Sequence, residues 1–98
     1  MQTLKMEFTS KGWSFRQVAR KQCAAVYRRE RQECAGVWDF EVIIVRRHDG
    51  HLWPNGNFTP PGENYPASAQ WGSLGWTFSS ASHRNPAKAA KAKFDSLP

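Results

Sequence analysis

Ninety-eight residues leave room for one domain, since compact domains commonly run to roughly 100 to 150 residues. With 40% hydrophobic and 13% aromatic residues the chain can build a core, which excludes wholesale disorder. Fourteen Lys and Arg against eight Asp and Glu give a net charge of +6, which favours nucleic acid or acidic proteins as partners without choosing between them.

No apolar run approaches the roughly 18 residues of a membrane helix, and Met1 to Glu7 lacks the apolar stretch of a signal peptide. Cys23 and Cys34 stand eleven positions apart with no C-x-x-C pair, a spacing that predicts two reduced thiols. These features predict a cytoplasmic single domain over residues 1–98 with no membrane partner and a flexible N-terminus over about residues 1–10.

In chain order, Trp13, Phe15, Gln17 and Ala19 alternate with Ser14, Arg16, Val18 and Arg20, the period of two of a strand. A second strand follows over Cys23 to Arg31, with Cys23, Ala25 and Tyr27 on one face and Ala24, Val26 and Arg28 on the other, hairpinned through Lys21 and Gln22. Trp38 to Arg47 predicts the central strand, apolar on both faces at Ile43 to Val45 and hence covered from both sides. Asp49-Gly50 predicts a tight hairpin turn, because its central positions tolerate positive φ. Trp53 to Pro66 carries four prolines and two glycines, too many missing amide donors for ladder pairing, and predicts a long loop.

Pro66 to Trp71 predicts one helical turn stopped by Gly72, then a last strand through Leu74, Trp76 and Phe78. Asn85 before Pro86 predicts the start of a helix running to about Ser96, with Ala87, Ala90, Phe94 and Leu97 as its core stripe. The order predicts an α+β fold: a small antiparallel sheet of about four strands with a C-terminal helix packed on one face. Of the five tryptophans, Trp38, Trp71 and Trp76 are expected in the core.

Residues 16 to 31 concentrate six bases against Glu30 alone. In a hairpin, Arg16, Arg20, Lys21, Arg28, Arg29 and Arg31 would crowd one end of the sheet, where guanidinium forks suit phosphate oxygens, with Tyr27 beside them to stack on a base. The competing reading is a solvated edge strand. Trp53, Phe58 and Tyr65, set in the Pro/Gly-rich stretch, are the candidate anchors for a protein partner. His48 and His51 flank Asp49-Gly50 without a third ligand, so no metal and no cofactor are expected. Asp39 and Glu41 share a strand face, where pairing with neighbouring arginines is favoured over acid–base work; with no nucleophile motif, no enzyme activity is expected. These residues predict a small non-enzymatic binding module that meets nucleic acid through its basic hairpin. The alternative is a protein that binds and modulates an acidic host protein.

Trp71-Gly72-Ser73-Leu74-Gly75, followed by a strand and by a helix with Phe94 facing inward, resembles the W-G-R-x-G signature of WGR domains. That resemblance covers about a quarter of the chain and implies a DNA-contact role for Trp71, with Ser73 standing where the signature has Arg. More broadly, Tyr65-Pro66, Trp71-Gly72 and Gly75-Trp76-Thr77 resemble a pattern in small proteins of phages and bacterial mobile elements, which implies no activity.

Overall fold

A computed structural model describes residues 3–34 and 36–98. Five strands form the main antiparallel sheet: β1 (Glu7–Ser10), β2 (Trp13–Arg20), β3 (Ala24–Arg31), β4 (Trp38–Ile44) and β9 (Gly75–Phe78), in the order β1-β2-β3-β4-β9. The α-helix α1 (Pro86–Ser96) lies against β3, β4 and β9, and the helical turn expected between Pro66 and Trp71 is a short 3-10 turn at Ser68–Gln70. The fold is α+β as the patterning predicts, with five strands rather than four. The extra strand is β1, which occupies residues expected to be flexible. It pairs with β2 and brings Phe8 onto Phe15 in a stacked contact of 4.5 Å. No helix among the described residues is long and apolar enough to cross a membrane.

The middle strand is β3, not β4. Its Ala24 to Tyr27 run is buried on both faces, and small alanines let the layers on either side approach closely. On one face Val26 and Val42 meet Ala90, with Phe40, Phe78, Phe94 and Leu97 around them. On the other, Phe15, Ala25, Tyr27, Ile43 and Val45 are joined by Phe8, Trp13, Tyr65 and Trp71. The double cover expected at Ile43 to Val45 therefore comes from the helix and from the segment around Tyr65 and Trp71.

A β-bulge overrides the simple alternation of β2. Gln17 pairs with Tyr27, but Ala19 pairs with Val26, so Val18 is an extra residue. Ala19 is thereby delivered to the helix side instead of the Phe15 side, and Arg20 swings to the face of Ala25.

The helix starts where Asn85-Pro86 predicts: Asn85 Oδ1 accepts from Lys88 N at 3.1 Å. Its C-terminal end is held by Lys21, whose Nζ donates to the carbonyls of Phe94 and Leu97 at 2.6 and 2.9 Å, placing a cation where the helix dipole is negative. Ala87 is exposed; the inward stripe is Pro86, Ala90, Phe94 and Leu97, supported by the stem of Lys93, whose ammonium lies over Trp76 at 4.0 Å.

The largest departure from the sequence reading lies between the fourth strand and the last. Asp49-Gly50 is not a hairpin reversal. The short strands β5 (Arg46–His48) and β6 (His51–Leu52) run outward, and β7 (Phe58–Thr59) and β8 (Gly62–Asn64) return, with β5 paired to β8 and β6 to β7. Together they form one arm, kinked at Asp49-Gly50 opposite Pro60-Pro61, with its reversal at Trp53 to Asn57. Gly50 is required at the kink: its φ is +92°, and a Cβ there would stand 2.7 Å from the Thr59 carbonyl oxygen. Pro60 and Pro61 are tolerated because they lie between the two short ladders, Pro54 because it sits in the tip turn and Pro66 because it follows the last of the arm's strands. The arm gives the molecule a radius of gyration of 14.9 Å, against about 12.6 Å for a compact chain of this length.

Truncations in the two core layers should separate by depth. Ile43→Ala, at a fully buried position, should cost about 2 to 5 kcal/mol in urea unfolding. Phe94→Ala, at a half-buried one, should cost less, about 2 to 3 kcal/mol. A Phe94→Ala loss below about 1 kcal/mol would remove the helix from the core.

Candidate functional site

Four of the seven residues predicted to contact nucleic acid are committed to the fold. Tyr27 is fully buried; its hydroxyl donates to the Lys5 carbonyl at 2.8 Å and accepts from Gln17 Nε2 at 3.0 Å. Burial raises its pKa, and the ring has no face to offer a base. Lys21 holds the helix terminus. Arg20 grips Glu63 with both terminal nitrogens, at 2.9 and 2.5 Å.

Arg29 is the centre of the fourth commitment. It donates to Asp39 at 2.5 and 3.1 Å, and its Nη1 lies 3.6 Å from Glu41. Both carboxylates are buried, and Glu41 also accepts from the Tyr65 hydroxyl at 2.7 Å and from Thr77 Oγ1 at 3.2 Å. Thr77 in turn accepts from Trp71 Nε1 at 2.9 Å, and the Trp13 ring covers Arg29 at 4.0 Å. Burial by itself would lower the Arg29 pKa, but the hydrogen bond to Asp39 and the charges of Glu41 and Asp39 outweigh it and hold the guanidinium charged. The Tyr65 hydroxyl is pushed far above its ordinary value, by burial first and then by Glu41, so it remains a donor. Every buried side-chain polar atom among the described residues has a partner. The acidic pair on β4 is therefore matched by arginine, as its spacing suggested. The network secures the chain at Tyr65 and Trp71 onto the sheet.

The W-G-x-x-G stretch has a packing origin. A Cβ on Gly75 would sit 2.5 to 2.8 Å from atoms of the Trp71 ring, so only glycine lets the indole lie on β9. Trp71 is half-buried against the core. Tyr65, expected as a partner contact, belongs to the same aromatic cluster, with Tyr27 at 5.3 Å.

The uncommitted residues occupy two places. The first is the arm tip, where Leu52, Trp53 and Phe58 are 68%, 49% and 63% exposed. Leu52 and Phe58 are cross-strand partners on one side. Trp53 packs on the other, edge-on to His51 at 4.3 Å, and its Nε1 donates to Thr59 Oγ1 at 2.9 Å. Trp53 and Phe58 were legible from sequence. Leu52 was not, because its exposure depends on the ladder that replaces the expected turn. The arm's base is anchored: Glu63, whose side chain is 1% exposed, accepts from Arg20 and from Leu4 N and lies 3.5 Å from Arg47.

The second place is the helix-side face of β1, β2 and the Arg28 end of β3, beyond the part of β3 that α1 covers at Val26. Arg16 and Arg28 are exposed there, and Trp38 borders them on β4, 37% exposed rather than in the core. Arg31, the seventh predicted residue, is exposed on the opposite face, beside Trp13 at 4.9 Å. Cys23 and Cys34 are free and exposed, and His48 and His51 sit on either side of the arm's kink. Among the described residues no three His, Cys, Asp or Glu side chains gather as a metal-binding group. No protein-family model, characterised protein or solved structure matches this chain.

The two ion-pair sites predict distinct responses. Arg29→Met leaves two buried carboxylates uncompensated and should cost about 3 to 5 kcal/mol at neutral pH, with most of the loss recovered when Asp39→Asn and Glu41→Gln are added. At Glu63, the hydrogen bond from Arg20 holds the carboxyl below its ordinary value of 4.5. Its stabilisation is therefore complete above that value and is lost as pH falls through the lower, folded one. Glu63→Gln should cost about 1 to 3 kcal/mol at pH 7 and flatten the acid limb of the stability curve. An unchanged acid limb would show that this pair does not set it.

Proposed function

We propose that this protein is a small non-enzymatic binding module that docks onto a protein partner through the tip of its β-arm. One observation carries the reading. Three large apolar side chains, Leu52, Trp53 and Phe58, are displayed on an arm that contributes nothing to the core at that point, while its base is fastened by a buried ion pair. A solvated loop would gain nothing from such residues, and their exposure favours association. Aromatic anchors of this kind concentrate binding energy in desolvated sockets.

The charges support an acidic rim around that socket. With Asp39, Glu41 and Glu63 paired internally to Arg29 and Arg20, and Lys21 spent on the helix terminus, the remaining charged side chains are five acids and eleven bases. Arg46 and Arg47, both exposed on the outgoing strand of the arm, add to the positive charge on that side. The partner is therefore one with an apolar pocket and acidic surroundings.

The test compares affinity co-purification by the wild-type chain and by the triple variant Leu52→Ser, Trp53→Ala, Phe58→Ser. The variant should keep the wild-type melting temperature, since the tip touches no core residue, and lose the specific protein partner. Recovery of the same partner by both chains would exclude the tip as the docking site.

A further inference from the structure

We infer that the uncovered helix-side face of β1, β2 and the Arg28 end of β3 is a second, independent binding site, and that its ligand is single-stranded nucleic acid. This inference does not rest on the arm.

The helix reaches β3, β4 and β9 and stops there. Beyond it lies an open trough of about 1030 Å³ that wraps the sheet edge and is lined on this face by Thr9, Ser14, Arg16 and Arg28 together with the acids Glu7 and Glu30. Arg16 and Arg28 are directly opposed on neighbouring strands. Like charges in cross-strand register destabilise a sheet, so the pair is a local cost that the fold itself does not require. Its neighbours do not explain it. Glu7 approaches Arg16 at 3.3 Å and Glu30 approaches Arg28 at 3.8 Å, but all four side chains are substantially exposed, and ion pairs of that kind are weak enough for an incoming phosphate to displace. Two guanidiniums side by side match two phosphate oxygens or two successive phosphates.

Trp38 makes the ligand a single strand rather than a duplex. It stands opposite Glu30 on the strand next to Arg28, with Phe40 edge-on to its ring at 5.5 Å and the Arg28 guanidinium over the ring at 4.9 Å, a cover that a base would have to share or displace. A partly exposed indole beside a pair of cations is the combination on which unpaired bases stack while their phosphates are neutralised. A duplex keeps its base faces occupied and gains only the cations. The exposed hydroxyls of Thr9 and Ser14 provide donors to sugar and phosphate along the same face. The surplus of solvent-facing bases supplies long-range attraction.

The test uses the full chain, a fluorescein-labelled mixed-sequence DNA single strand and its duplex, followed by anisotropy over a salt series. The single strand should bind more tightly. R16Q/R28Q should weaken both ligands and flatten the slope of log K against log salt by about 1.4 for the single strand. Its melting temperature should equal or exceed that of the wild type, because a like-charge pair has been removed. W38A should weaken the single strand about five- to hundredfold and leave the duplex unchanged. The arm-tip triple variant should bind both as the wild type does. No binding at low salt, an unchanged salt slope in R16Q/R28Q, or loss of binding in the arm-tip variant would overturn the site. Equal effects of W38A on both ligands would overturn its preference for single strands.

Discussion

Two carboxylates on one face of an interior strand, Asp39 and Glu41, are the constraint around which one side of the molecule is arranged. Left alone in that position they would be costly, so the opposite strand supplies Arg29, and Glu41 draws in Tyr65 and Thr77 as donors. Through Thr77 the network reaches Trp71, whose ring requires the bare surface of Gly75. Four separate segments, β3, β4, the chain around Tyr65 to Trp71, and β9, are thus tied by polar contacts. The same contacts lay an aromatic cover over Phe15, Tyr27 and Ile43.

The tie also fixes the two ends of the arm. The outgoing chain leaves directly from β4 at Val45, and the returning chain must reach Tyr65 at a fixed place. The ladder between β5 and β8 closes this gap, and Glu63 is drawn beneath Arg20. Beyond the kink at Gly50 no hydrogen bond or ion pair among the described residues ties the chain to the body. The tip is therefore free to present side chains that would be wasted on a shorter turn. Anchored base and unpartnered tip are a consistent arrangement for a contact whose energy is reserved for another molecule.

The bulge at Val18 divides the basic residues between structure and surface. It rotates Arg20 onto the Glu63 side and places Ala19 beneath the helix, whereas Arg16, ahead of the bulge, keeps its register with Arg28 on the open face. Six bases close in sequence consequently do three different things. Arg20, Arg29 and Lys21 satisfy buried acids and a helix terminus, Arg31 flanks Trp13, and Arg16 and Arg28 remain facing solvent together. The basic cluster that looks continuous in sequence is not continuous in space.

The sequence by itself determined that strands run over Trp13 to Lys21 and Cys23 to Arg31, within a residue of the ones formed, as well as the final strand, the helix with its Asn85 cap, and Trp53 and Phe58 as aromatics of an outlying segment. Each of these rests on a local signal: period-two alternation, a capping side chain followed by proline, or aromatics set among turn residues. Tertiary structure alone decided the rest. Alternation cannot register an inserted residue, so the bulge and the side taken by Arg20 were hidden. Asp-Gly tolerates a kink as well as a reversal, and only the pairing of Arg46 to His48 with Gly62 to Asn64 selects the kink. A charge is written identically in sequence whether it solvates a surface or neutralises a buried acid. The partners of Arg29, Arg20 and Lys21 lie ten, 43 and 73 or more positions away, brought close only when the sheet and helix have assembled.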